Sequence, residues 1–87
     1  MDQNLSRLRW KCRRGMLELD LWLTHYLDQA YLHASLDEKA DFDQLLSEAD
    51  ADIWEWLMSV KQPTAPLIRV ISKIQQDNNI PVLKSKQ

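Results

Sequence analysis

Leu5, Leu8 and Cys12 recur at steps of three and four residues, the spacing that lines one side of an α-helix. They predict a short first helix with Asn4 as its N-cap. Arg7, Trp10 and Arg14 repeat that spacing two positions later, about 200° around the wheel, which puts them on an opposite, outward face. Gly15 then breaks the pattern, since its backbone freedom suits a junction better than a helix interior. From Met16 to about His33 the stripe Met16, Leu19, Leu23, Tyr26, Leu27 and Ala30 predicts a second helix. Leu17, Leu21, Trp22 and Leu32 add apolar surface elsewhere on that cylinder and mark it as the central helix.

Ser35-Leu36-Asp37-Glu38 reads as a capping box opening a third helix, with Ala40, Leu45, Leu46 and Ala49 inward. Asp50 and Asp52 place negative charge at the start of a fourth, where the helix dipole favours it. Ile53, Trp56, Leu57 and Val60 form its buried face and Trp54 lies on another. Lys61-Gln62-Pro63 ends that helix, and Thr64 with Pro66 opens a fifth whose apolar face is Leu67, Ile68, Ile71 and Ile74. Asp77-Asn78-Asn79 stops it. The pattern predicts a single-domain, all-α, compact five-helix bundle over residues 1–79, with a flexible C-terminal tail over 80–87.

Composition supports this reading. The 87 residues make one domain, and one Gly, three Pro and ten β-branched residues favour helices over strands. Cys12 is the single cysteine, which excludes an intramolecular disulfide and suits a reducing compartment. No apolar run approaches the ~20 residues of a membrane span. Charge is segregated: residues 1–14 sum to +4, residues 15–60 to −10 and residues 61–87 to +4. Such blocks point to an electrostatically guided partner, or to ordinary solvated faces.

Catalytic machinery is not legible. There is no HExxH, no paired cysteine, no Gly-rich phosphate loop, and no Ser-His-carboxylate set that the sequence singles out. His25 and His33 could ligate a metal with Cys12 only through fortunate packing, so no metal site is expected. The basic first helix with Trp10 suggests a nucleic-acid contact, although the −10 block beside it would repel a long polyanion. The plainer reading has Trp10 fold back over the bundle while the arginines pair with the acidic helices.

The densest feature is Arg13-Arg14-Gly15-Met16-Leu17-Glu18-Leu19-Asp20. Gly15 permits close backbone approach, Arg14 offers a planar fork of donors, and Glu18 follows three residues into the helix. Structurally, Glu18 would cap the Gly15 N–H and pair with Arg14 across the joint. Functionally, the same groups would form a recognition surface turned toward solvent.

Arg7-Leu8-Arg9-Trp10, the RGxxE segment Arg14-Gly15-Met16-Leu17-Glu18 with Leu19-Asp20, and Asp50-Ala51-Asp52-Ile53-Trp54-Glu55-Trp56-Leu57 resemble the SdhE family of FAD assembly factors, bacterial relatives of the mitochondrial succinate dehydrogenase assembly factor 2. The resemblance covers residues 5 to 60; helix five and the tail match only in kind. It implies a non-enzymatic five-helix chaperone that binds the flavoprotein subunit of succinate dehydrogenase, and often of fumarate reductase, and promotes covalent attachment of FAD. By that pattern Arg14, Gly15 and Glu18 would dock on the client, with Arg7, Trp10 and Asp20 as neighbours. FAD would belong to the client rather than bind stably here, and neither nucleic acid nor membrane insertion is expected. With no targeting segment ahead of the motif, the resemblance implies a bacterial, cytoplasmic member. A small nucleic-acid-binding or antitoxin-like regulator is the alternative.

Overall fold

The computed structural model describes residues 3–80, and side chains from residue 5. Five α-helices run in order: α1 (Gln3–Lys11), α2 (Leu17–Gln29), α3 (Leu36–Leu45), α4 (Asp50–Leu57) and α5 (Ile68–Asp77). Short 3₁₀ turns, Tyr31–His33 and Ala65–Leu67, precede α3 and α5. No strand occurs among the described residues, so the all-α five-helix architecture is the one the pattern predicts.

Each helix buries the stripe that its spacing sets, with several corrections. Leu8 and Cys12 from α1 and its end, and Leu19, Leu23, Tyr26 and Leu27 from α2, enter one core; each fully buried apolar side chain contributes about 1.5–3 kcal/mol. Asn4 lies inside α1, whose first residue is Gln3, rather than capping it. In α3 the Ser35 hydroxyl accepts the Glu38 N–H at 3.1 Å, as the capping box requires. Its inward residues are Phe42, Leu45 and Leu46, whereas Ala40 and Ala49 are exposed. Glu38 does not reach back to the cap; its carboxylate lies 3.9 Å from Lys73 Nζ.

The α4 helix ends at Leu57, before Lys61-Gln62-Pro63, because Ser59 takes a φ of 62° and the Val60 N–H returns to the Glu55 carbonyl. This Schellman closure turns the chain early and leaves Val60 outside the core. The same device closes α5: Asn79 has a φ of 55° and the Ile80 N–H donates to the Gln75 carbonyl. Ile80 thereby folds back into the core at 5% exposure, although the sequence pattern assigns it to the tail. The rest of that segment, 81–87, lies outside the described residues. In α5, Val70 is buried and Ile68 is largely exposed, reversing their expected order, because the helix starts at Ile68 behind a 3₁₀ turn and so presents a rotated face.

The α5 helix packs on α2, α3 and α4, while α1 packs on α2. The α2 helix ends at Gln29 rather than near His33, which leaves Leu32 in the following 3₁₀ turn. Its extra apolar residues do not mark a helix buried all round: Leu17 and Leu21, like Leu32, face outward. Trp22 is half-buried and stacks on Trp54 of α4 at 5.5 Å between ring centroids. Asn78 donates to the Trp22 carbonyl at 3.1 Å, and Gln75 to the Leu57 carbonyl at 3.1 Å, tying the end of α5 to its neighbours.

Candidate docking site at the first helix junction

The joint between α1 and α2 is five residues, 12–16, which turn the chain so that the two helices lie side by side. Gly15 sits at its apex with a φ of +89°, a left-handed value that an L side chain adopts only with strain. A Cβ built there would meet nothing within 4 Å. Glycine is thus required by backbone conformation, and the space above it is free. Glu18, in the first turn of α2, is exposed and has no hydrogen bond or ion pair among the described residues. It neither caps Gly15 nor meets Arg14.

Arg14 behaves differently from the expectation of an outward contact. Its side chain is 12% exposed and is spent on the protein itself. Nε donates to Asp50 Oδ1 at 2.7 Å, Nη1 to the Leu46 carbonyl at 2.7 Å and to the Lys11 carbonyl at 2.9 Å, and Nη2 to the Glu48 carbonyl at 2.6 Å. The planar fork thus satisfies the Lys11 and Leu46 carbonyls, which the ends of α1 and α3 leave without intrahelical partners, and the Glu48 carbonyl of the α3–α4 connection. Asp20, half-buried, accepts the Arg14 backbone N–H at 2.5 Å. The wheel fails for Arg14 because α1 stops at Lys11 and the following residues leave the helical path. Asp50 joins two stabilising influences, the Arg14 guanidinium and the N-terminal dipole of α4.

Of the six residues marked from sequence, Gly15, Glu18, Arg7 and Trp10 are exposed, while Arg14 and Asp20 form the brace beneath the joint. Trp10 is 71% exposed and does not fold back over the bundle. The Arg13 guanidinium lies 5.7 Å from its ring centroid, a cation–π arrangement. Other cations do pair locally: Arg9 meets Asp28 at 2.6 Å, and that hydrogen bond and charge raise its pKa further. Sequence reasoning missed Asp50, Leu46 and Glu48 as the anchors of Arg14, which are 32 to 36 positions away and leave no periodic trace. A usable signal was the joint presence of the Arg-Gly segment and the Asp50-Ala51-Asp52 segment.

At the start of the joint, Cys12 is fully buried, and burial pushes its thiol up to about 11. His25 of α2 approaches Asp77 of α5 at 3.5 Å. Among the described residues no group of three His, Cys, Asp or Glu gathers to hold a metal, and no helix is long and apolar enough to cross a membrane.

Residues 6–78 match the family model described as flavinator of succinate dehydrogenase. The chain belongs to that family. It is also similar to the FAD assembly factor SdhE of Coxiella burnetii, with 39% identity over 72 residues, covering 82% of this chain and 88% of that protein. The SdhE of Legionella pneumophila strain Lens is 40% identical over 74 residues, covering 85% and 94%. That of Photorhabdus laumondii is 41% identical over 76 residues, covering 86% of each. No solved structure matches the chain.

Proposed function

We propose that this chain is an assembly factor of the cytoplasm that docks on the flavoprotein subunit of succinate dehydrogenase, and also on that of fumarate reductase, and promotes covalent attachment of FAD there. The observation that carries the reading is the α1–α2 joint: an unobstructed strip of main chain at Gly15, beside a carboxylate at Glu18 that has no partner of its own. An exposed charged group held on a rigid element beside bare backbone is suited to recognising another protein, because little ordering entropy remains to be lost on binding. Family membership says which partner to test first.

In this reading Gly15 and Glu18 contact the client, Arg7 and Trp10 extend the contact along α1, and Arg14 and Asp20 hold the joint in shape. The cofactor is held by the client and not stably by this chain. Docking favours the client conformation in which its histidine and the flavin lie in reacting geometry, a proximity effect exerted through the client's own fold.

The test is co-expression of the flavoprotein subunit with wild type or Glu18→Ala, followed by fluorescence of covalent flavin in denaturing gels. A drop of about tenfold or more in flavin signal is expected with Glu18→Ala, in the range of an interfacial charge that loses its partner. Equal signals from the two would remove Glu18 from the site.

A further inference from the structure

A second feature lies between α1 and α3, in a groove of about 300 Å³ lined by Arg7, Lys11, Tyr31, Lys39 and Asp43 among others. Lys39 is the only Lys or Arg from residue 15 to residue 60, a stretch carrying eleven carboxylates. Arg7 and Lys11 of α1 and Lys39 of α3 therefore meet in one place on a molecule whose net charge is −2.

Those cations are poorly compensated. Arg9 and Arg14 have close carboxylates at 2.6 and 2.7 Å. Arg7 has none among the described residues. Lys39 lies over the Tyr31 ring, 5.4 Å from its centroid, rather than against an acid. Lys11 reaches Asp43 only at 4.0 Å, with both side chains well exposed, a separation at which an exposed pair contributes little. With Asp43 the one acid among the described residues of the lining, the groove keeps an excess of positive potential, the arrangement that steers and fixes a complementary charge.

We propose that this groove receives a short acidic segment of the client flavoprotein, two or more Asp or Glu side chains placed against Arg7, Lys11 and Lys39. The proposal rests on the docking reading above and adds a second, electrostatic contact, α1 running from the joint to the groove. A long polyanion fits poorly because strongly acidic helices flank the cations, whereas a run of a few carboxylates meets three cations in a groove whose lining acid is Asp43.

Calorimetric titration of the purified succinate dehydrogenase flavoprotein subunit against four forms of this chain tests it: wild type, Lys11→Glu/Lys39→Glu, the neutral Lys11→Gln/Lys39→Gln, and Glu18→Ala. The charge reversal is expected to weaken binding at least about tenfold, neutralisation less, and both to flatten the salt dependence of Kd. Thermal unfolding curves matching wild type establish that the variants are folded, and the Gln pair serves if the Glu pair is not. Wild-type Kd and salt dependence in both Lys pairs, with binding lost in Glu18→Ala, would overturn the groove and leave the joint standing. Weakening by the Lys pairs alone would support the groove and remove Glu18. No binding by wild type would end both readings.

Discussion

Replacing Arg14 by Ala removes donors from Asp50 and from the Lys11, Leu46 and Glu48 carbonyls at once. Breaking a buried ion pair from one side costs about 3–5 kcal/mol. Asp50 is 38% exposed, so water recovers part of that, and the carbonyls add back a part, each having lost a charged donor worth about 1.5–3 kcal/mol before resolvation. A net loss of about 2–4 kcal/mol is expected, out of a total stability of about 4–13 kcal/mol for a chain of this length. At about 4–8 °C per kcal/mol, Tm followed by circular dichroism should fall by roughly 10–25 °C. Arg14→Lys keeps the charge but has no planar fork and should recover less than half of the loss. A double-mutant cycle with Asp50→Ala should give a coupling of about 1–3 kcal/mol. If Arg14→Ala unfolds within about 3 °C of wild type and yet abolishes client binding, the inward brace is mistaken and Arg14 is a contact residue.

Gly15→Ala should lower stability by about 1–2 kcal/mol from its positive φ alone, with no steric contribution; denaturant unfolding measures it, and a loss above about 3 kcal/mol would show that the space over Gly15 is not open. Under the proposed docking, in which the joint serves close approach, Gly15→Val should weaken client binding more than that stability change accounts for, and proportionate losses in the two measurements would favour a purely structural glycine. Burial raises the Cys12 thiol from 9.0 to about 11 and the Tyr26 phenol from 10.0 to about 12. Both groups are held neutral in the fold, so their contribution is intact below pH 9 and is lost as pH rises from about 9 through 12. Urea midpoints that stay level from pH 8 to 11 would contradict this, as would rapid stoichiometric reaction of native Cys12 with a disulfide reagent at pH 8.

The helices were legible where periodicity and capping act locally. The Leu19-Leu23-Tyr26-Leu27 stripe and the Ser35 cap appear in the structure as the spacing implies. Helix ends were less so: the left-handed turns at Ser59 and Asn79 decide that Val60 is outside and Ile80 inside, and neither residue announces that in a hydropathy pattern. At the joint, the sequence put Gly15 and Glu18 at an open surface, which the structure shares. It also turned Arg14 outward, because wheel geometry extends a helix past its end and contains nothing of a turn more than thirty positions downstream. Trp10, which the same wheel turned outward, does face solvent, since α1 is a single short helix with only one apolar stripe to bury.

The Arg14 brace makes the proposed docking joint depend on a stretch of chain that no partner need touch. Loss of Asp50, or a rearrangement of the Leu46 and Glu48 carbonyls, releases the clasp from its far side while Gly15 and Glu18 stay unaltered. Under the proposed function, such a lesion would mimic a broken RGxxE segment, with flavin-poor client and an intact motif. Compensating changes should then be sought between residues 46 and 50 rather than around Gly15.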